Sequence, residues 1–403
     1  MTASKKSKEG YGEVTEAHLD NLLKRKGLER TERGSLMRGF LMPNQWDPGY
    51  GQSNFFISRE TAGRFARGFA DENPLYVDLA YAERSPWRRM LAPPTLLAYT
   101  EAMNGATDGF PGCHAIWREC EFEWTRPLFA EDPMKVATRL TGARIVDSNF
   151  AGGRAGVQDY ETTIDTLGGE QVAFYRTSWH RFSRKKASGS SKYGKIEPIQ
   201  WTDEALEGVW NEYRQQNNTN RRGAEPLYFE DVEIGSEVPY LIKGPVTLTS
   251  KLAFEFVRGA GGWFVGHEMA LALFDRYPAL AIRNEENVPE PPVAIHWTNE
   301  RCRRYLGMPA AYEAGFERLA WYSQLLTSWA GDHGCMRRLQ VRFLAFHWQG
   351  DAIRLYAKVK EKRVVGNERL VDLEVSTVSH PRGEQTSVGS ATVQLPSRPE
   401  MPS

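Results

Sequence analysis

Two short segments of the sequence carry side chains that could exchange protons with a substrate. In FADENPLYVD, Asp71 precedes an Asn-Pro turn made by Asn73 and Pro74. In AIHWTNERC, His296 lies between an apolar run and a polar helix start. Histidine titrates near neutral pH, so His296 is a candidate acid–base residue. Asp71 could act as a base, or it could only support the turn by accepting local N–H groups.

The composition predicts a folded globular protein that does not bind nucleic acid. Of the 403 residues, 41% are hydrophobic and 12% aromatic, which is ample for sizeable cores. Lys+Arg and Asp+Glu both number 51, and phosphate neutralisation would need a basic excess. No run approaches the ~18 apolar residues of a spanning helix, so no membrane partner is expected.

The cysteines and the first residues favour a reduced, cytoplasmic protein. The four cysteines lack metal-ligand spacing, so no metal site is expected. The first 20 residues have no apolar core of a signal peptide. GAGGWFVG has the wrong spacing for a dinucleotide loop, and no cofactor is expected.

Helical and strand-like patterns recur in the same order in two halves. The apolar helix TLLAYTEAMNG, with Thr95 as its cap, precedes strand-like runs from HAIWRECEFEW to EQVAFYRTSWHRF. A long amphipathic helix just after Pro309 precedes the runs from RLQVRFLAFHW to EQTSVGSATVQL. FARG recurs as FVRG, and GEQ occurs before the last strand of each half. This pattern predicts an α+β fold that arose by internal duplication.

The same patterns set the predicted domain boundaries. Residues 1–34 form an N-terminal extension, and residues 35–185 form the first unit. Residues 186–235 are polar and rich in Ser, Asn and Gly, which is typical of a linker, with a short helix at TDEALEGVWNEYRQQ. Residues 236–397 form the second unit.

Two stretches resemble one family. GFADENPLYVDLAYA, followed by LAPPTLLAY, resembles the N-terminal hotdog domain of MaoC-like acyl dehydratases, in their double-hotdog form with a FAS1-like dehydratase domain. The stretch from AIHWTNERC to LLTSWAGD is similar to the C-terminal hotdog of these proteins. The resemblance covers most of residues 35–397. It implies a tandem hotdog, in which each half wraps a curved antiparallel sheet around a central helix.

The resemblance also implies an activity. The family adds or removes water across the 2,3-bond of acyl thioesters, so acyl-CoA or acyl-carrier-protein substrates and a homo-oligomer such as a dimer are expected. Its loop reads roughly D-x-N-P-[apolar]-H-x-D. Asp71 and Asn73 match, whereas Tyr76 replaces the histidine. Tyrosine, with a pKa near ~10, is a poor general base at neutral pH.

In the second half, His296 stands at the family's catalytic histidine, but its acidic partner is missing. Gly262 falls where the aspartate is expected, and a long insertion follows it. Asn299, Glu300 or Glu313 could take its place. The chemistry also needs dipoles for the charge that develops on the thioester oxygen.

The resemblance implies that a backbone N–H at the start of the central helix supplies that dipole, and Gly315 is its candidate. Alternatively, Gly315 only lets the helix start pack tightly against a strand. Gly315, Tyr312, Asn73 and Tyr76 are the predicted substrate-binding residues, and His296 and Asp71 the predicted catalytic ones.

Three functions are therefore open. The first is a hydratase or dehydratase, in either direction, for a bulky or unusual acyl group, which the insertion and 12 Trp favour. The second is a catalytically degenerate hotdog that binds an acyl thioester or partners an active subunit, which the incomplete pair in each half favours. The third is a hotdog thioesterase.

Overall fold

A computed structural model describes the following residues: 10–30, 53–100, 105, 108–183, 196–257, 266–276 and 278–399. Its strands are β1 (Glu29–Arg30), β2 (Ser53–Phe56), β3 (His114–Trp124), β4 (Pro133–Ser148), β5 (Gly153–Thr166), β6 (Gln171–Phe182), β7 (Glu237–Lys243), β8 (Ile282–Arg283), β9 (Pro289–Glu290), β10 (Cys335–Phe343), β11 (Ala352–Val365), β12 (Glu368–His380) and β13 (Gln385–Gln394).

One antiparallel sheet of 11 strands connects the two halves. Its order is β1–β4–β5–β6–β3–β10–β13–β12–β11–β7, and β2 also pairs with β4. The halves meet where β3 pairs with β10, with Phe122 opposite Leu339 and Cys120 opposite Val341. All four side chains are buried, so the junction is a continuous part of the core. The two sides mirror each other in strand order, which agrees with an internal duplication, and the predicted α+β class is confirmed.

Helices cover parts of this sheet. They are α1 (Glu16–Leu23), α2 (Arg59–Gly68), α3 (Pro74–Val77), α4 (Leu79–Arg84), α5 (Asp203–Thr219), α6 (Leu248–Val257), α7 (His267–Arg276), α8 (Asn299–Leu306) and α9 (Gly315–Ala330). Short 3-10 segments lie at Pro94–Thr100, Phe229–Asp231, Pro278–Leu280 and Pro292–His296. Within the described ranges, no helix combines the length and the apolar character that crossing a bilayer requires.

The central helix of the second half is α9, which is buried over most of its 16 residues. It begins at Gly315, not just after Pro309 as the sequence analysis predicted. The preceding helix, α8, ends at Gly307 in the left-handed conformation (φ 66), which turns the chain away from the helical path. The chain then extends, and Tyr312 forms a β-bridge with Trp348 before α9 starts.

The corresponding segment of the first half is not an α-helix over its first turns. Pro94–Thr100 is a 3-10 helix, in which the N–H of Leu96 donates to the carbonyl of Pro93 (2.9 Å). Thr95 lies buried inside this segment, so the prediction that it caps an α-helix is wrong. Residues 101–104, which continue the predicted helix, lie outside the described residues.

The predicted linker contains the expected helix, α5, which contacts the edge of the sheet. The hydroxyl of Tyr213 donates to the carbonyl of Gly244 (2.8 Å), and Glu212 forms an ion pair with Arg354 on β11 (2.6 Å). The N-terminal extension also joins the sheet, because β1 pairs with β4. The exact domain boundaries stay a prediction.

The close approach of β13 to β10 gives a test of the pairing between these two strands. A Cβ added to Gly389 would lie 1.9 Å from the backbone carbonyl oxygen of Gln340, and a backbone atom cannot yield easily. We expect Gly389→Ala to lower the free energy of unfolding by about 2 kcal/mol or more in denaturant titrations, as overpacking does.

Gly142→Ala on β4 is the matched control, since a Cβ there meets nothing nearer than 4.0 Å. We expect it to stay within about 0.5 kcal/mol of the parent protein. Equal effects of the two substitutions would contradict the pairing of Gly389 with β10.

Candidate active site

A cavity of ≈ 480 Å³ lies between the two halves. The first half supplies one wall from the start of β3 and from β6, and the second half supplies the start of α9 and the loop before α8. Most of the lining is aromatic or apolar. Its polar lining side chains include His114, His180, Lys251, His296, Tyr312, Glu313 and Glu317.

His296 is the last residue of a 3-10 segment and lines this cavity. Lys251 on α6 fixes the local backbone, because its Nζ donates to the carbonyl of His296 (2.5 Å) and to Oε1 of Gln349 (2.9 Å). Burial lowers the pKa of Lys251 to about 8. The imidazole of His296 meets the ring of Tyr312 edge-on, with centroids 4.6 Å apart.

Tyr312 links the two halves at this cavity. Its hydroxyl lies 3.2 Å from Nε2 of His114, the first residue of β3. Its ring also packs against Phe346, with centroids 4.4 Å apart. Tyr312 therefore sits between a histidine of the first half and His296 of the second. His114 was missed by the sequence analysis, which had no pattern to single it out.

The start of α9 opens towards the same cavity, since Gly315 is both its first residue and part of the lining. The N-cap residue, Ala314, gives no side-chain hydrogen bond to the first turn. The first N–H groups of a helix have no acceptor within the helix, so they can donate to other groups. The helix dipole also places partial positive charge at this end. A Cβ on Gly315 would meet Phe343 and Trp117 at ordinary distances of 3.5–3.6 Å, so tight packing does not require the glycine.

Of the three proposed substitutes for the missing aspartate, only Glu313 lines the cavity, and it is already engaged. Arg318 donates to its Oε1 from Nε (3.0 Å) and Nη2 (2.6 Å), and Nδ1 of His347 lies 3.2 Å from the same oxygen. Burial raises the pKa of Glu313, but the charges of Arg318 and His347 outweigh this and lower it to about 2. Glu313 is therefore a fixed anion.

The other two candidates for the missing acidic partner, Asn299 and Glu300, do not line the cavity. Oδ1 of Asn299 accepts from the N–H of Ala311 (2.9 Å), which holds the chain before α9. Glu300 is exposed and does not line the cavity. Gly262, the position of the expected aspartate, lies outside the described residues.

Glu317 is the carboxyl group that the sequence analysis missed. It lies in the first turn of α9, it is buried, and it lines the cavity with His296. Burial raises the pKa of Glu317 well above its usual range, and the nearby carboxylates Glu313 and Glu255 raise it further. These surroundings therefore favour the protonated form of Glu317. A signal was available, because a charged residue so close to the apolar run LAWYSQLL is costly to bury without a purpose.

The structure places the first-half loop elsewhere. Asp71 and Asn73 are buried and form successive turns: Oδ1 of Asp71 accepts from the N–H of Asn73 (3.0 Å), and Oδ1 of Asn73 accepts from the N–H of Leu75 (3.0 Å). Tyr76 is buried as well. None of the predicted residues Asp71, Asn73 and Tyr76 lines the cavity with His296.

The loop packs against the second half instead. Nζ of Lys243 donates to the carbonyl of Phe69 (2.6 Å), and Nε2 of Gln324 on α9 donates to the carbonyl of Ala70 (2.9 Å). These two contacts join the loop of the first half to β7 and to the central helix of the second half.

The chain is similar to known proteins in sequence and in fold. Residues 48–174 match the family model of the FAS1-like dehydratase domain region. A solved MaoC-like dehydratase aligns with 93% of this chain and 99% of its own, at 18% identity and a TM-score of 0.60. A MaoC domain dehydratase from Chloroflexus aurantiacus aligns with 86% of this chain and 93% of its own, at 10% identity and a TM-score of 0.52. No curated protein matches the sequence significantly.

These matches confirm the resemblance found in the sequence. Residues 48–174 are similar to the FAS1-like dehydratase domain region, and the chain as a whole shares its fold with a solved MaoC-like dehydratase. The described residues contain no group of three or more His, Cys, Asp or Glu side chains that could hold a metal ion.

The buried carboxyl group of Asp71 leads to a pH test of its role. Burial raises its pKa from 3.8 to about 6, although the Asn73 N–H and Lys243 oppose this. A raised folded-state pKa means that the folded protein holds the proton more tightly. The stabilisation is present below the ordinary pKa and is lost as pH rises through about 6.

Asp71→Asn removes this titration and keeps the turn acceptor. We expect the parent protein to lose stability relative to Asp71→Asn between pH 4 and pH 7, by on the order of 1–3 kcal/mol. Urea unfolding of both proteins across this range measures the difference, and any constant effect of the asparagine cancels. A difference that is flat with pH would contradict the assigned environment.

Proposed function

We propose that this double-hotdog chain is a hydro-lyase that adds water to, or removes it from, the 2,3-bond of an acyl thioester. The observation that carries the proposal is that His296, the start of α9 at Gly315 and the buried carboxyl group of Glu317 line one cavity. The dehydratase-domain match of residues 48–174 supports the same class of reaction.

The three groups correspond to the three demands of hydration. His296 takes a proton from water as the oxygen bonds to C3. The electron pair of the 2,3-double bond moves to the thioester oxygen, where the N–H groups and dipole at Gly315 stabilise the negative charge. Glu317 gives its proton to C2 as the carbonyl re-forms. Return of a proton from His296 to Glu317 restores both groups, and the reverse sequence is dehydration.

Neighbouring residues position this machinery. Lys251 holds the His296 backbone, and Tyr312 packs at right angles to the imidazole while its hydroxyl lies 3.2 Å from Nε2 of His114. Substrate contact by Gly315 and Tyr312 is part of the proposal, whereas Asp71, Asn73 and Tyr76 are assigned to the contact between the halves. This division makes the second half the catalytic one.

The cavity supports a proposal for the substrate class. Its ≈ 480 Å³ volume and aromatic lining suit a bulky acyl group, carried by coenzyme A or by an acyl carrier protein. We further propose that the protein acts in the cytoplasm as a homo-oligomer without a cofactor.

Mass spectrometry with a panel of 2-enoyl-CoA and 3-hydroxyacyl-CoA esters tests the reaction. A gain or loss of the mass of water is the expected result. Release of free CoA would establish a thioesterase instead, and binding without conversion would establish a degenerate hotdog.

Two substitutions test the residue roles. We expect His296→Ala and Glu317→Gln each to lower kcat/KM by about 10²–10⁴-fold, the range for one acid–base group. Glu300→Gln is the matched control, because Glu300 is exposed and outside the cavity, and it should retain the parent activity.

Circular dichroism and the melting temperature establish that each variant is folded. Full activity of a folded His296→Ala protein would overturn the assignment of this cavity. Full activity of Glu317→Gln alone would remove Glu317 from the mechanism and leave His296 in it.

A further inference from the structure

The insertion that precedes His296 forms part of the cavity wall. The structure describes it at residues 266–276 and 278–293. Leu280 ends the 3-10 segment Pro278–Leu280, and Val293 lies in the 3-10 segment that ends at His296. Both side chains line the cavity. The insertion therefore contacts whatever the cavity binds.

The inserted hairpin of β8 and β9 is anchored to α8, so this wall is held in place. Arg301 on α8 donates to Oε2 of Glu285 in the hairpin turn from Nε (2.9 Å) and from Nη2 (2.5 Å). The hydroxyl of Tyr305, also on α8, accepts from the N–H of Arg283 (2.9 Å) and donates to its carbonyl (2.9 Å). These bonds fix the hairpin that lies between the two lining residues of the insertion.

An aliphatic pocket adjoins His296 on this side of the cavity. It consists of Leu280 and Val293 from the insertion and Leu252 from α6, and all three side chains are partly buried. Lys251, the neighbour of Leu252, donates to the carbonyl of His296 (2.5 Å), which holds α6 beside the segment that carries Val293. A hydrocarbon chain would bury this apolar surface, which contributes about 25 cal/mol per Å².

The first half places a positive charge at the cavity instead. Arg118 on β3 lines the cavity and is exposed. It is the extra residue where the pairing of β3 with β6 shifts between Trp117 and Glu119, and such bulges redirect side chains. Coenzyme A and the prosthetic group of an acyl carrier protein both carry phosphate, which arginine binds well. The charges therefore favour the carrier towards Arg118 and the acyl chain towards the aliphatic pocket.

We propose that the insertion determines the size of the acyl group, with Leu280 and Val293 closing the acyl end of the cavity. The inference rests on the proposed function, which places the thioester between His296 and Gly315. From there the acyl chain extends into the aliphatic pocket, and the side chains at positions 280 and 293 limit its length. The substrate class is an acyl thioester with a hydrocarbon chain of limited length.

The test measures kcat/KM for 2-enoyl-CoA esters from 2-butenoyl-CoA to 2-hexadecenoyl-CoA, in steps of two carbons. The readout is the ratio of kcat/KM for the ester two carbons longer than the parent's best substrate to kcat/KM for that substrate. We expect Leu280→Ala and Val293→Ala each to raise this ratio by about 10-fold or more, because they lengthen the pocket. Val293→Phe should shift the preference to shorter esters. A folding defect lowers all activities together and leaves the ratio unchanged.

Two further variants control for position. Leu271→Ala is the matched control within the insertion, since Leu271 on α7 is 60% exposed and outside the cavity lining, and it should keep the parent profile. Phe150→Ala enlarges the cavity on the side of Arg118, because the Phe150 ring lies 6.0 Å from that of His180, whose pKa Arg118 lowers. We expect it to change kcat/KM for all esters by the same factor.

An unchanged profile in the Leu280 and Val293 variants would overturn the inference, as would a shift in chain length with Phe150→Ala alone. If no ester is hydrated or dehydrated, the proposed function fails separately. The inference is then tested by isothermal titration calorimetry with saturated acyl-CoA esters of the same lengths. Tighter binding of longer esters by Leu280→Ala than by the parent supports it, and equal or absent binding across the series refutes it.

Discussion

The buried ion pair between Glu313 and Arg318 determines where the central helix of the second half begins. Arg318 reaches back across the first turn of α9 to Glu313 and also donates to the carbonyls of Ala345 (3.2 Å) and Thr386 (2.8 Å). Both charged side chains are almost fully buried, and removing one partner of such a pair typically costs about 3–5 kcal/mol. The pair thereby ties the helix start to β13 and to the chain after β10. Gly315 and Glu317 lie inside this braced turn, so their positions in the cavity depend on it.

The same ion pair gives two glutamates that are close in sequence, Glu313 and Glu317, different electrostatic environments. Glu313 has a cation beside it and is ionised, whereas no hydrogen bond or ion pair to the carboxyl group of Glu317 is present among the described residues. Lys243 and Lys251 favour the charged form of Glu317, but burial and the carboxylates of Glu313 and Glu255 dominate and raise its pKa. The two environments thus move the pKa values of the two carboxyl groups in opposite directions.

The sequence predicted the architecture better than the site. Strand and helix periodicity, repeated in two halves, was enough for the α+β class and the duplication, because burial of alternating side chains imposes that pattern locally. His296, Tyr312 and Gly315 were found through a motif and do meet in one cavity. The role of the loop at Asp71 could not be decided from the sequence, because an Asn-Pro turn looks the same whether it presents a base or packs against a helix. Glu317 and His114 reach the cavity through contacts between distant parts of the chain, and no local sequence pattern encodes such contacts.

The two halves of this duplicated fold contribute differently to the one cavity at their junction. In this chain the loop of the first half contacts α9 through Ala70 and holds Lys243 through Phe69. Asp71 and Tyr76 of that loop are buried, while β3 and β6 supply an aromatic wall beside Gly315. The first half thus braces the central helix of the second half and lines one side of the cavity, whereas His296 and Gly315 come from the second half.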